Sequence, residues 1–138
     1  AEFRETHQLG AGRVTFEDQA PGLAVQFDPT HLHQVAWNLC ENSLKHAAAV
    51  PVLLRTGRIA ASGRPYLEVV DRGQGIDPAH AERIFEPFFT NGAGGTGLGL
   101  FIARELCQTN GALLVYEARP GGGSIFRIVF ADPQRWTA

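Results

Sequence analysis

The chain has 138 residues, of which 44% are apolar and 19% charged, and its formal net charge is −2. That length predicts a single domain over 1–138 with an ordinary core, and the charge content is too low for a disordered chain. The near-neutral balance argues against a nucleic-acid binder or direct membrane contact, and no apolar run approaches the ~18 residues of a membrane span.

In chain order, "RVTFED" and "LAVQF" read as two short strands, the second alternating Leu23, Val25 and Phe27. "DPTHLHQVAWNLCENSLKHA" follows. Asp28 suits an N-cap and Pro29 the first helical position. Positions 32, 35, 36, 39, 40, 43 and 47 form a stripe at helical spacing, which predicts an amphipathic helix. "PVLLRTGRIA" and "RPYLEVVDR" read as strands joined near Ser62-Gly63. "DPAHAERIF" predicts a short helix, again opened by Asp-Pro, and "EPFFTNGAGG" is irregular. "GLGLFIARELCQTNG" predicts a second long helix, stopped by Asn110-Gly111. "ALLVYEA" and "SIFRIVF" close the chain as strands around the turn "RPGGG". The elements do not alternate as βαβ units, which favours an α+β, two-layer sandwich with helices on one face of a largely antiparallel sheet. Cys40 and Cys107 fall in apolar helical patterns and read as reduced, buried thiols.

Four segments carry chemistry. On the first helix, Asn38, Asn42 and Lys45, the only lysine, lie within about 60° of one another, roughly 130° from the centre of the apolar stripe, with His46 between. That face is either merely solvated or a site for an anion and a hard cation, since carboxamide oxygens suit Mg²⁺. In "DRGQGI", Asp71 ends a strand. It is either a turn residue or an acceptor for an exocyclic amine, with Gly73 and Gly75 leaving room for a flat ring and Ile76 giving it an apolar surface. Phe88 and Phe89 read as an anchor at the base of a Gly-rich loop. In "GGTGLGL", Gly95, Thr96, Gly97, Leu98, Gly99 and Leu100 lead into a helix whose bare N–H groups suit phosphate. The P-loop and dinucleotide fingerprints both fail here.

Taken in order, these segments resemble the nucleotide-binding domain of the sensor histidine kinases. "NLCENSLKH" looks like the N box, "DRGQGI" the first glycine box, "RIFEPFF" the F box and "GGTGLGL" the second glycine box. The resemblance covers roughly residues 23 to 131. It extends to the branch that works with enhancer-binding response regulators, the sensor kinases of type IV pili among them. It implies the Bergerat ATP-binding fold of the GHKL superfamily: a mixed, mostly antiparallel sheet, three helices on one face and a short ATP lid. By resemblance, Asn42 would ligate Mg²⁺ with Asn38 in support. Lys45 would touch phosphate, His46 and Phe89 would line the nucleotide, Asp71 would read adenine, and Gly97 to Leu100 would hold the phosphates. Ser124 would sit near the base.

The resemblance also implies partners. These are ATP or ADP, a dimerisation and phospho-acceptor domain, and through it the response regulator, in a cytoplasmic setting with the parent protein anchored in the inner membrane. His7, His31, His33, His46 and His80 all lack the acceptor's flanking residues, so this chain is expected to be a monomeric catalytic domain without its own phosphorylation site. The lid also carries Asn91 and glycines where many relatives have a basic residue. Two alternatives stand beside this reading. One is a GHKL-type ATPase or protein serine kinase, whose general-base Glu position is here Asn38, a residue that takes no proton. The other is a non-catalytic docking module.

Overall fold

The computed structural model describes residues 14–18, 25, 27–46, 52–73, 75–89 and 97–131, with side chains except at 14–18, 45 and 46. Five strands form one sheet: β1 (Val14–Asp18), β2 (Val52–Arg58), β3 (Pro65–Asp71), β4 (Leu113–Ala118) and β5 (Ser124–Val129). Their spatial order is β1-β2-β3-β5-β4. β1 pairs with β2 in parallel and every other pair is antiparallel, so the sheet is mixed and mostly antiparallel as expected. Helices α1 (Pro29–His46) and α2 (Gly99–Thr109) form the second layer.

The sheet's two faces follow from the register. Leu54, Val69 and Phe126 lie in one row across β2, β3 and β5, all buried, and face the helices. Val35, Leu39, Cys40, Ala103 and Cys107 fill the same core from the helix side. Both cysteines are free, and burial pushes each thiol up to about 12, so neither is a thiolate at neutral pH. The opposite face carries a charge ladder. Glu68 is directly opposite Arg55 on one side and Arg127 on the other. Glu68 is 2% exposed, and its carboxylate accepts from Arg55 Nη1 at 3.0 Å and Arg127 Nε at 2.7 Å. Arg127 also reaches Glu117 at 3.0 Å. Burial alone would lower the Arg127 pKa, but hydrogen bonds and charge from Glu68 and Glu117 more than reverse that, and the net shift is upward.

The helix signals in the sequence act as read. The Asp28 carboxylate accepts from Thr30 N at 2.8 Å and His31 N at 3.2 Å, an N-cap ahead of Pro29. At the end of α2, Ala112 N donates to Cys107 O and Gly111 N to Gln108 O, with Gly111 at φ 73°. That is a Schellman stop, in which glycine takes the left-handed position.

Asn110 does more than end the helix. Its Oδ1 accepts from Asp28 N at 2.8 Å, and its Nδ2 donates to Leu106 O at 2.8 Å and contacts His31 Nδ1 at 3.0 Å. Asp28 N–H and the Leu106 carbonyl together fix which amide atom is oxygen, so His31 Nδ1 is the acceptor. The end of α2 is thereby tied to the start of α1. Asn110→Ala should cost about 1–2 kcal/mol, seen as a lower urea midpoint at unchanged slope.

Two expectations are corrected. The segment 77–85 is not a regular helix but a run of turns. His80 N bonds to Asp77 O, Ala81 N to Pro78 O and Arg83 N to His80 O, all three residues apart. The tighter winding lets Ile84 be buried and Phe85 meet Phe126 edge-on at 6.3 Å. The described residues therefore hold two helices, not three. In "LAVQF", Val25 and Phe27 are not in a strand; Leu23, Ala24 and Gln26 lie outside the described residues. Phe27 instead packs edge-on against Phe130 at 5.6 Å.

Candidate functional site

The helix directions place the site. Asp28 and His31 of α1 meet Asn110 at the end of α2, while Asn38 Nδ2 donates to Gly99 O, the first residue of α2, at 3.2 Å. The two helices are therefore antiparallel. Phe27 packs on Phe130, and Phe130 N bonds to Pro65 O, so α1 starts at the level where β3 starts. From residue 27 to 43 a helix rises ~24 Å, and from Pro65 to Asp71 a strand rises ~20 Å. The later turns of α1, the start of α2 and the end of β3 thus converge at one end of the domain.

Three chemistries meet there. The first is the start of α2. Among the described residues no side chain caps it and no acidic residue sits in its first turn, so its first N–H groups and positive dipole end suit an anion. Gly97 precedes it at φ 74°, and a Cβ there would lie 2.6 Å from the Phe88 carbonyl carbon. Only glycine fits that approach. The same pair is hydrogen-bonded, Phe88 N to Gly97 O at 2.9 Å, which joins the two ends of the loop between them. Phe88 and Phe89 divide the anchor predicted for both. Phe89 packs against the core, flanked by the His80 ring at 5.4 Å and the Arg83 guanidinium at 4.7 Å. Phe88 is 74% exposed at φ 66°, so it contributes backbone rather than a buried ring.

The second is Asp71. It is 2% exposed and stands opposite Ser124, itself buried, on the helix-facing side of the sheet. Oδ1 accepts from Gly73 N at 3.0 Å. Gly73 and Gly75 then pack against the turn of Gly122 and Gly123. Gly123 has φ 108°, and a Cβ there would collide with the Asp71 backbone carbonyl. The result is a carboxylate beside a surface without side chains, closed by the half-buried Ile76.

The third is the polar face of α1. Asn38 is engaged on both sides, accepting from Gln34 Nε2 at 2.8 Å while it donates to Gly99 O. Asn42 is half-buried, and its amide makes no hydrogen bond among the described residues. Next to it, Ser43 is fully buried, and its Oγ has no hydrogen-bond partner among the described residues. An unpaired buried hydroxyl costs about 1–3 kcal/mol. The sequence stripe included position 43 without marking this hydroxyl; only burial reveals it. Leu98, Gly99 and Leu100 stand at the α2 start as predicted. Gly95 and Thr96, and the side chains of Lys45 and His46, lie outside the described residues.

Residues 27–134 match the family described as "Histidine kinase-, DNA gyrase B-, and HSP90-like ATPase". The chain is 41% identical over 132 residues to the sensor protein kinase PilS of Pseudomonas aeruginosa, covering 93% of this chain and 23% of that protein. It is 36% identical to the C4-dicarboxylate transport sensor protein DctS of Rhodobacter capsulatus, covering 86% of this chain and 18% of that one. The chain thus spans less than a quarter of the length of these curated relatives. Among solved structures, the catalytic domain of histidine kinase ThkA superposes with a TM-score of 0.76 at 27% identity, covering 94% of this chain and 86% of that one. Full-length ShkA in complex with AMPPNP gives 0.74 at 29% identity, covering 86% of this chain and 26% of that one. The family match over residues 27–134 and the 41% identity to a sensor kinase across 93% of the chain make this chain a member of the histidine kinase-, DNA gyrase B- and HSP90-like ATPase family.

Proposed function

We propose that this domain binds Mg²⁺·ATP and donates its γ-phosphoryl group to a histidine on a separate dimerisation domain. The observation that carries this is the meeting of an uncapped helix start and a buried carboxylate at one end of the fold. The first suits phosphate, and the second suits the amino edge of adenine. Asp71 accepts from the base, with Ser124 beside it. The N–H groups at the start of α2 hold the phosphates, Lys45 adds a point charge, and His46 and Phe89 line the nucleotide. Such a site works by positioning and charge stabilisation, not by covalent chemistry of its own.

A magnesium ion fits these residues. The Asn42 amide makes no hydrogen bond among the described residues, and Mg²⁺ takes one or two protein oxygens together with phosphate and water. Asn42 would hold it, with Asn38 in support by fixing α1 to α2. When bound, the ion neutralises phosphate charge. The position that would carry a hydrolase's general base is Asn38, and its amide is already bonded between Gln34 and Gly99. This favours phosphotransfer over hydrolysis or transfer to serine.

The acceptor domain and an enhancer-binding response regulator are the expected partners, in the cytoplasm. No helix among the described residues is long and apolar enough to cross a membrane. A calorimetric titration with ADP, with Mg²⁺ and again with chelator, tests the site. Micromolar-range binding that weakens without Mg²⁺ is expected. A supplied acceptor domain should then become phosphorylated from ATP. Absence of ADP binding in a folded sample would overturn the reading.

A further inference from the structure

The start of α2 has few side chains of its own to hold it. Gly97 and Gly99 carry none, and among the described residues no side chain caps the helix. Two of its carbonyls are tied instead. Gly97 O accepts from Phe88 N at 2.9 Å, and Gly99 O accepts from Asn38 Nδ2 at 3.2 Å. The first tie runs from backbone to backbone. The second depends on one amide, carried by α1, being turned the right way.

Gln34 sets that turn. Gly99 O can only accept, so the Asn38 atom facing it is the nitrogen, and the Asn38 oxygen faces Gln34. Gln34 must then present its NH₂ group, and its Nε2 lies 2.8 Å from Asn38 Oδ1. The two residues are four apart on α1 and so share a face. The torsion that swings an Asn amide is broad and roughly two-fold. A bond to Gly99 alone would leave the amide free to rock or to turn over, and turned over it sets oxygen against oxygen. A bond at each end removes both motions. An amide pair at this spacing by itself merely supports a helix. This one differs at its far end, which lands 61 residues away on the first residue of the other helix.

We propose that Gln34 is a positioning residue for the phosphate end of the site. It contacts no ligand itself. It acts through Asn38 to fix where the first turn of α2, with its N–H donors, stands relative to α1. The inference rests on the nucleotide reading above.

The test is a double-mutant cycle on ADP affinity, by calorimetry with Mg²⁺ present, using Gln34→Met, Asn38→Ala and the two combined. Methionine keeps the length of the side chain, cannot donate, and adds no charge near phosphate. Gln34→Met should bind ADP about threefold more weakly, the effect of one lost hydrogen bond. On the Asn38→Ala background the same change should have no effect, because the residue it acts through is gone. Two ligand-free readouts accompany the cycle. The Asn38 side-chain NH₂ signals in a ¹⁵N–¹H spectrum should shift and exchange faster with water in Gln34→Met, while the melting temperature falls by no more than about 2 °C. A glutamine that only supports α1 would give that small fall and leave ADP affinity alone. Parent-like affinity in Gln34→Met, a full threefold loss on the Asn38→Ala background, or unchanged Asn38 signals would each overturn the inference and leave the nucleotide reading standing. Failure of the parent chain to bind ADP would overturn the nucleotide reading, and the positioning role with it.

Discussion

Asp71→Asn should fold normally and yet bind ADP and ATP at least about tenfold more weakly, a loss of about 1.4 kcal/mol or more. The substitution is nearly isosteric, and its side-chain oxygen still accepts from Gly73 N, so the turn that follows β3 keeps its internal bond. What changes is the remaining acceptor. In its place stands an NH₂ group, a donor facing the donor of the base, at a residue that is only 2% exposed. The loss should be equal for the diphosphate and the triphosphate, because Asp71 and the α2 start serve different parts of the ligand. Calorimetry beside a thermal melt separates this from unfolding. Asp71→Ala would not, since it also removes the Gly73 bond. Undiminished affinity in folded Asp71→Asn would refute the assignment of this carboxylate to the base.

The second large effect concerns stability. Glu68→Ala should lower unfolding free energy by about 3 kcal/mol, the lower end for breaking a buried ion pair. The lower end applies because Arg55 and Arg127 remain 31% and 26% exposed and can turn toward water once the carboxylate is gone. For a domain of this length that corresponds to roughly 10 °C in Tm. Replacing Arg55, Glu68 and Arg127 together by apolar residues of similar size should recover most of the loss, because no buried charge is then left unpaired. If Glu68→Ala melts within a degree or two of the parent, the ladder is a surface decoration and not part of what holds β2, β3 and β5 together.

Most of the candidate site could be read along the chain because its signals are local. Asp28-Pro29 caps the helix that follows it, and the glycines before Leu100 announce a helix start that approaches other backbone. Features that depend on distant partners could not be read this way. Asn110 reads as a stop signal, and its ties to Asp28 and His31 span 82 and 79 residues. Glu68 sits among valines on β3, and its burial depends on arginines supplied by strands on both sides. The turn run at 77–85 carried the right opening pair, Asp77 and Pro78, but whether winding closes at three or four residues is decided by where Ile84 and Phe85 must sit. The two phenylalanines were alike in sequence, and only the close approach to Gly97 separates the exposed one from the packed one.

That approach, Phe88 N–H to the Gly97 carbonyl, also bears on how the family can vary. A loop whose two ends are already joined needs nothing from its own length to keep them together. Lengthening it then costs only closure entropy, about 0.6 kcal/mol for each doubling. Segments of very different size can be exchanged between these two residues while the helix start, the proposed phosphate end of the site, keeps its place. The stretch is thus free to diverge under selection for partners or turnover, with little penalty to folding.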